Sequence, residues 1–594
     1  MMKLGVAATM LALVAGCDYG APEPPPELDS LPHVATGVDV TPDLDAGGRA
    51  RSIAPRASDE RSAILESSIT LIQRAALKPG GDNFKLAVQK LNHYFDGTSP
   101  ADYQLDPPTM AYLLTQLPPQ MVRELQNRNW SLRDARHLED CMMYYGIANR
   151  VAGVGENLAR VRKVFDWVIH QVQLVPAGAL GSNQLPQVYA RPYDILLRGL
   201  ATESAGFWAE RTWLFMALCR QIGLDAGLLA YSRSQTLEPM IPRSMIATEF
   251  EADLLHLRRG PRAPLIWICT VLIDGKAYLF DARLGMEIPG PGGKGVATLD
   301  QAMADPEILE RMNLPGESPY GTSRASLVSS PTKITVFIDS SQGYFSPKMR
   351  LLQRELGGKN RTILYRDPAD ERDRFQDALG GQFGGLTLWG LPLEVETRLF
   401  TDPQFVASIQ SSLILFRPEF PLIYARIKHL RGEYDEAVQE YVKLRFAENA
   451  PQVVDRHKTI PKEIQDGLDV YATYYLALIH LERNRLDQAE LMFRQVLDML
   501  PEPGPNQPYY NMFRWGANAN LASILDARHD RRGALAYYLA PDPTSHRVGK
   551  LLRARQIVLD DPMGAAPAKL PDAPAPKPVV RPPANPNPQP QRSR

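Results

Sequence analysis

The run RGLATESAGFWAERTWLFMALCRQIGLDAG, residues 198–227, decides how the rest of the chain is read. From 208 to 222 it is apolar on nearly every side, through Trp208, Trp213, Leu214, Phe215, Met216, Ala217, Leu218, Cys219 and Ile222. A helix hydrophobic all round belongs in the middle of a domain. Thr202 or Ser204 is placed to cap its start, and Gly223 to end it in a left-handed conformation. Residues 228–231 then enter a sheet. Further along, LIWICTVLIDGKAYLFD (265–281) reads as two strands joined by the two-residue turn Asp274-Gly275.

The helix pattern resembles the core helix of the transglutaminase-like superfamily, where Gly-x-Cys is followed by LFxALCRxxG. Here Gly206-Phe207-Trp208 precedes LFMALCRQIG (214–223), so Trp208 stands at the position of the family nucleophile. The family's second segment is a strand carrying His, a hairpin, and a strand ending in Asp. Counting back from the turn puts Ile266 at the His position, and neither neighbour is His; Asp281 stands at the Asp position. Thiol chemistry needs a thiolate, a base and a group that orients the base. An indole cannot ionise to a nucleophile, and Asp281 alone has nothing to orient. The resemblance therefore implies a transglutaminase-like (papain-like) α+β core that is a pseudoenzyme, with none of the catalytic chemistry expected intact.

A chain of 594 residues exceeds one core and predicts several domains. Its 44% hydrophobic content supports folded cores, and a formal charge of −1 gives no argument for a nucleic-acid partner. The opening MMKLGVAATMLALVAGC has one Lys before a short apolar run, which reads as an export signal. Its end, Leu13-Val14-Ala15-Gly16-Cys17, resembles the bacterial lipobox. That resemblance implies lipidation of Cys17, anchoring to a membrane, and a place in the cell envelope facing the periplasm or the exterior. Cys141, Cys219 and Cys269 remain, too scattered for a disulfide framework. With no CxxC or HExxH spacing, no metal site and no cofactor are expected.

In chain order, residues 1–17 are the lipoprotein signal, and 18–58 a Pro-, Gly- and Asp-rich disordered tether. Residues 59–150 are a helical leader, with helices near 84–95, 107–127 and 132–151; Trp130 and His137 are assigned no chemistry. The transglutaminase-like domain runs 151–310. It opens with an amphipathic helix at 158–174 whose His170 is assigned to the surface. An insertion at 232–264 carries His256, Arg258, Arg259 and Arg262, and the Gly-rich run up to Lys294-Gly295 lacks phosphate-loop spacing. Residues 320–400 read as a small α/β connecting segment, with strands at 334–339 and 361–366 around a helix at 346–356. The Pro-rich 560–594 is a disordered tail.

Residues 413–557 change texture to helical hairpins with an internal register. Ala425 is followed twelve positions on by Ala437 and then Tyr441; Ala477 by Ala489 and Phe493; Ala522 by Ala534 and Tyr538. This resembles the tetratricopeptide repeat, where small residues bring paired helices together and an aromatic packs behind them. The equivalent alanines lie 52 and then 45 apart, against the family's period of 34, so the linkers are longer. Stacked hairpins make a concave surface that binds a peptide or a protein, or one that is filled as a scaffold. The expected protein is a multidomain α+β lipoprotein, an envelope scaffold with a protein or peptide partner. The competing expectation is an active transglutaminase-like protease, amidase or crosslinking enzyme with displaced residues. Exposure of a cysteine beside a His would favour the enzyme, and burial of all three cysteines the scaffold.

Overall fold

The computed structural model describes residues 57–75, 82–176, 189–203, 209–232, 264–317, 320–329, 333–413, 416, 422–445, 462–500 and 508–560. The expected signal, the tether to residue 56 and the Pro-rich tail from 561 lie outside them, as do Cys17, Ser204, Trp208, His256 and the three arginines that follow it. Ala57 and Ser58 open a helix and Asp560 ends one, where tether and tail were expected. The protein is α+β.

The apolar run forms the helix Ala209–Gln221, every residue of which is buried. Gly223 follows with φ +86°, the left-handed stop its position requires. Thr202 does not cap this helix. It lies in a strand, β2 (Leu200–Glu203), paired in parallel with β1 (Gln173–Pro176). The chain then enters β3 (Asp225–Ser232). The hairpin of β4 (Pro264–Ile273) and β5 (Lys276–Asp281) turns at Asp274 and Gly275, both at positive φ (49° and 73°) as a twist-matched two-residue turn demands. With β6 (Met286–Glu287), β7 (Ile334–Asp339) and β8 (Phe383–Trp389), these strands make one sheet in the order β6-β5-β4-β3-β7-β8.

Two expectations for residues 320–400 are corrected here. The segment is no separate connecting unit, because β7 pairs antiparallel with β3 and carries β8 as a parallel neighbour. A parallel pair needs a long crossover, and the helices Pro347–Glu355 and Pro368–Leu379 supply it. Residues 361–366 are extended but not a strand. Their backbone is satisfied by side-chain amides: Ile363 exchanges two hydrogen bonds with Gln221 (2.8 and 3.0 Å), and the Leu364 and Tyr365 N–H groups donate to Gln353 Oε1. Amide side chains here do what a neighbouring strand would have done.

The sheet is covered on both faces, which explains why β4 is apolar without alternation. Cys269, Val271 and Ile273 face a core shared with the Ala209–Gln221 helix. Trp267, Ile268 and Leu272 face a second core, built with the leader helices and with Pro347–Glu355.

Helical hairpins follow: Leu422–Arg431 with Tyr434–Arg445, Lys462–Glu482 with Leu486–Met499, and Pro508–Ala527 with Arg531–Tyr538, then a last helix His546–Asp560. Ala425, Ala437, Tyr441, Ala477, Ala489, Phe493, Ala522 and Ala534 have no exposed surface, and Tyr538 is half-buried. Replacing Ala489 by leucine is expected to overpack its hairpin and lower stability by about 1–3 kcal/mol. Thermal unfolding of the variant measures this, and an unchanged midpoint would contradict close helix approach there.

The first helix of each hairpin faces the α+β unit. Arg426 donates through Nε and Nη2 to the Leu196 carbonyl (3.0 and 2.8 Å), Tyr475 donates to Leu197 O (3.0 Å), and Asn520 reaches His170 O (3.5 Å). The surface expected to hold a partner is thus largely occupied by the chain's own domain.

Candidate functional site

The transglutaminase-like resemblance would put a catalytic constellation where the start of the Ala209–Gln221 helix meets the end of β5. The helix start is braced from within. Glu210, wholly buried, accepts from Ala190 N and Thr202 N (both 2.6 Å) and from Arg198 Nη2 at 3.1 and 3.0 Å. Burial pushes its carboxyl upward, and Arg198 and the two N–H groups oppose the push. The next residue, Arg211, also without exposed surface, donates to Ile169 O (2.9 Å) and Ala282 O (3.3 Å). Desolvation lowers its guanidinium to about 9, against the pull of Asp542, Glu203 and Asp281.

Of the three positions that the resemblance assigns, Trp208 lies outside the described residues, and Ile266 and Asp281 are described. The register between β3 and β4 shifts beside Ile266, which pairs with Ala230 while Ile268 pairs with Leu229. This bulge at Trp267 turns Ile266 toward the helix-side core, where it packs half-buried. Asp281 is fully buried and faces away from that core. It accepts from the Arg283 and Leu284 N–H groups (both 3.0 Å) and from the Tyr320 hydroxyl (2.9 Å), which itself accepts from Trp267 Nε1. Trp267 and Tyr320 belong to the core on the opposite face of the sheet. The carboxylate is thus occupied as a structural acceptor.

The three described cysteines are buried. Burial drives the Cys219 and Cys269 thiols well above their usual range. Cys141 does meet an imidazole, its Sγ lying 3.6 Å from His137 Nε2 and 3.5 Å from the Tyr344 hydroxyl. His137 is buried rather than exposed, and its Nε2 lies 3.0 Å from the Leu364 carbonyl, a contact only an N–H makes. The unprotonated Nδ1 is then 4.0 Å from Sγ, too far to take its proton efficiently. Desolvation pushes Cys141 up and His137 down, so the pair rests as thiol and neutral imidazole. It borders a cavity of about 60 Å³ shared with Arg136, Asp140 and Asp339.

The last helix, His546–Asp560, and the residue before it close over the end of β2 and the turn after β5. Ser545 donates through its N–H (2.8 Å) and its hydroxyl to Glu203 at the end of β2. Gly549 lies so close to the Leu284 carbonyl that any side chain there would strike it. Beside this closure a cleft of about 1340 Å³ stays open, bounded by the helix Asn157–Gln171, the turns at 285–295, and the helices Pro508–Ala527 and His546–Asp560. His170, expected at the surface, is half-buried in this cleft, with its Nε2 3.0 Å from Ser523 Oγ. The run before Lys294 forms turns along its rim, with Gly292, Gly293 and Gly295 at positive φ.

Sequence reading missed Asp166, Asn520 and His546 in this cleft, and Glu482 and Arg426 at the seam above it; no spacing singles them out. Among the described residues no cluster of ligating side chains suits a metal ion, and no helix is long and apolar enough to cross a membrane. No family model, no curated protein and no solved structure matches this chain.

Proposed function

We propose that the protein is an exported, lipid-anchored binding protein of the cell envelope. In this reading a transglutaminase-like unit has lost its thiol chemistry, and tetratricopeptide-like hairpins are built onto it. The observation that carries the reading is the state of the cysteines. Cys141, Cys219 and Cys269 have no exposed surface, and burial holds each as a thiol, whereas nucleophilic sulfur must reach its substrate as thiolate. The engagement of Asp281 by Tyr320 and two backbone N–H groups supports the same conclusion. The anchor rests on the LVAGC motif ending at Cys17. The partner is a protein or peptide and not nucleic acid, since the formal charge is −1.

The test is turnover. Purified mature protein, incubated with peptide and glutamine substrates, is expected to release no ammonia and no cleaved or crosslinked product above the protein-free control. Treatment with iodoacetamide is expected to leave its capture of envelope proteins unchanged. Turnover that iodoacetamide abolishes would overturn the reading in favour of a transglutaminase-like protease, amidase or crosslinker. Cys141 beside His137 would then be the pair to replace first.

A further inference from the structure

The cleft beside the last hairpin contains polar groups with nothing to bind. Asn520 is 2% exposed; its amide nitrogen donates to the Tyr474 hydroxyl at 3.3 Å, but its Oδ1 has no partner. His546 is 6% exposed, and its Nδ1 is likewise unpartnered. Both residues line the cleft. A buried polar atom left without a hydrogen bond costs about 1–3 kcal/mol, a cost that a ligand supplying the missing partner removes.

The charges of the cleft are unevenly committed. Arg162 pairs with Glu287, Arg311 with Glu307, Arg553 with Asp526 and Lys550 with Asp542, while Arg555 donates to the carbonyls of Asn313 and Arg311. Asp166 and Glu310 are exposed to the cleft, and neither carboxylate has an ion pair or hydrogen bond among the described residues. Desolvation by the surrounding protein, followed by the charge of Glu287, pushes Asp166 up to about 6 against the opposing charge of Arg162. The cleft thus presents two carboxylates without an ion pair, while Arg555 spends its donors on carbonyls, and among its unpartnered buried atoms are an amide oxygen and an imidazole nitrogen.

We propose that this cleft holds an extended peptide segment, with a backbone amide meeting Asn520 Oδ1 and His546 Nδ1 and a lysine or arginine side chain meeting Asp166. A peptide unit offers an N–H to the first atom and either a donor or an acceptor to the second. Small-molecule sites span about 300–1,000 Å³, and this cleft exceeds that range at about 1340 Å³. The first helices of the earlier hairpins pack on the chain's own α+β unit through Arg426 and Tyr475, whereas the last hairpin borders this open cleft. The inference rests on the binding-protein reading above.

The test uses the full mature chain, immobilised, with nonapeptide pools randomised except for a central Arg, Lys, Ala or Glu. The peptides recovered are weighed by mass spectrometry. The Arg and Lys pools are expected to be retained about tenfold over the Glu pool, the size of one charge-assisted contact. Asp166→Asn is expected to bring that ratio close to one. Asn520→Leu is expected to weaken every pool alike, with its fold checked by circular dichroism. Equal retention of all pools, or a preference that survives Asp166→Asn, overturns the inference. Spermidine bound as well by Asn520→Leu as by the parent chain, with no pool retained, would make the cleft a polyamine site and overturn it too. Peptides recovered intact without charge preference sink only this inference; peptides recovered cleaved sink the binding-protein reading itself.

Discussion

Replacing Glu482 with alanine is expected to lower the stability of the whole chain by about 3–5 kcal/mol, the cost of breaking a buried ionic network by removing one member. Glu482 ends the first helix of the middle hairpin and collects donors from three directions. Gln171 Nε2 lies at 2.6 Å, His429 Nε2 at 2.8 Å and the Tyr434 hydroxyl at 2.7 Å, with Arg150 at 3.8 Å. Arg426 fixes the tautomer. Its Nη1 donates to His429 Nδ1 (3.0 Å), so the ring carries its proton on Nε2 and passes a neutral N–H to the carboxylate. Burial accordingly lowers His429 to about 4, while His429 and Arg150 hold Glu482 at about 2 in spite of its burial.

Both folded values lie below those of the unfolded chain, so the unfolded state takes up more protons as the pH falls and the network weakens in acid. The His429 contribution is complete above about 6.5 and disappears as pH falls through about 4; that of Glu482 is complete above about 4.5 and disappears toward about 2. Glu482→Gln, which keeps the shape and loses the charge, should cost less than alanine and flatten the lower limb of the pH profile. Urea unfolding from pH 7.5 to 3 measures both. A pH-independent midpoint, or an alanine variant within about 0.5 kcal/mol of the parent, the usual range of an inert surface change, would mean that the seam does not hold the hairpins to the α+β unit.

The stretch at 198–227 made the buried helix legible because an all-round apolar helix has one physical home, and Asp274-Gly275 made the hairpin legible because few turns join two strands in two residues. The alanines at 425, 437, 477, 489, 522 and 534 were legible as inward positions of helical hairpins, and all six are buried. The side of the sheet that each residue takes was not. A strand buried on both faces carries no alternation to read, so nothing in IWICTVLI revealed the bulge at Trp267 or the direction of Asp281. Residues 361–366 looked like a strand because their composition suits one, while the partners that fix their backbone are side-chain amides, Gln353 nearby and Gln221 142 positions before Ile363. The seam was hidden likewise: Arg426 and Gln171 are 255 positions apart, and a buried polar network obeys no short period.

Glu210→Ala is expected to cost about 3–5 kcal/mol as well, and to do so where the α+β unit is built. The carboxylate ties four pieces of chain together: the core helix that carries it, Ala190, Thr202 of β2, and Arg198 at the end of the helix Pro192–Arg198. Its removal takes the carboxylate from the Arg198 guanidinium, 3% exposed, and takes from the Ala190 and Thr202 N–H groups the acceptor they share. The double variant Glu210→Leu with Arg198→Met separates these terms. Buried ion pairs replaced by apolar residues of similar volume are often neutral or stabilising, so the double variant should recover the share of the loss that belongs to the stranded charge. The orphaned Ala190 and Thr202 N–H groups remain, and each should retain a cost of about 1–3 kcal/mol. Urea unfolding of the three chains, with the m-value checked for constancy, measures the result. A double variant no more stable than Glu210→Ala would mean that the guanidinium finds water once the carboxylate is gone, and that the start of the core helix is open to solvent rather than sealed.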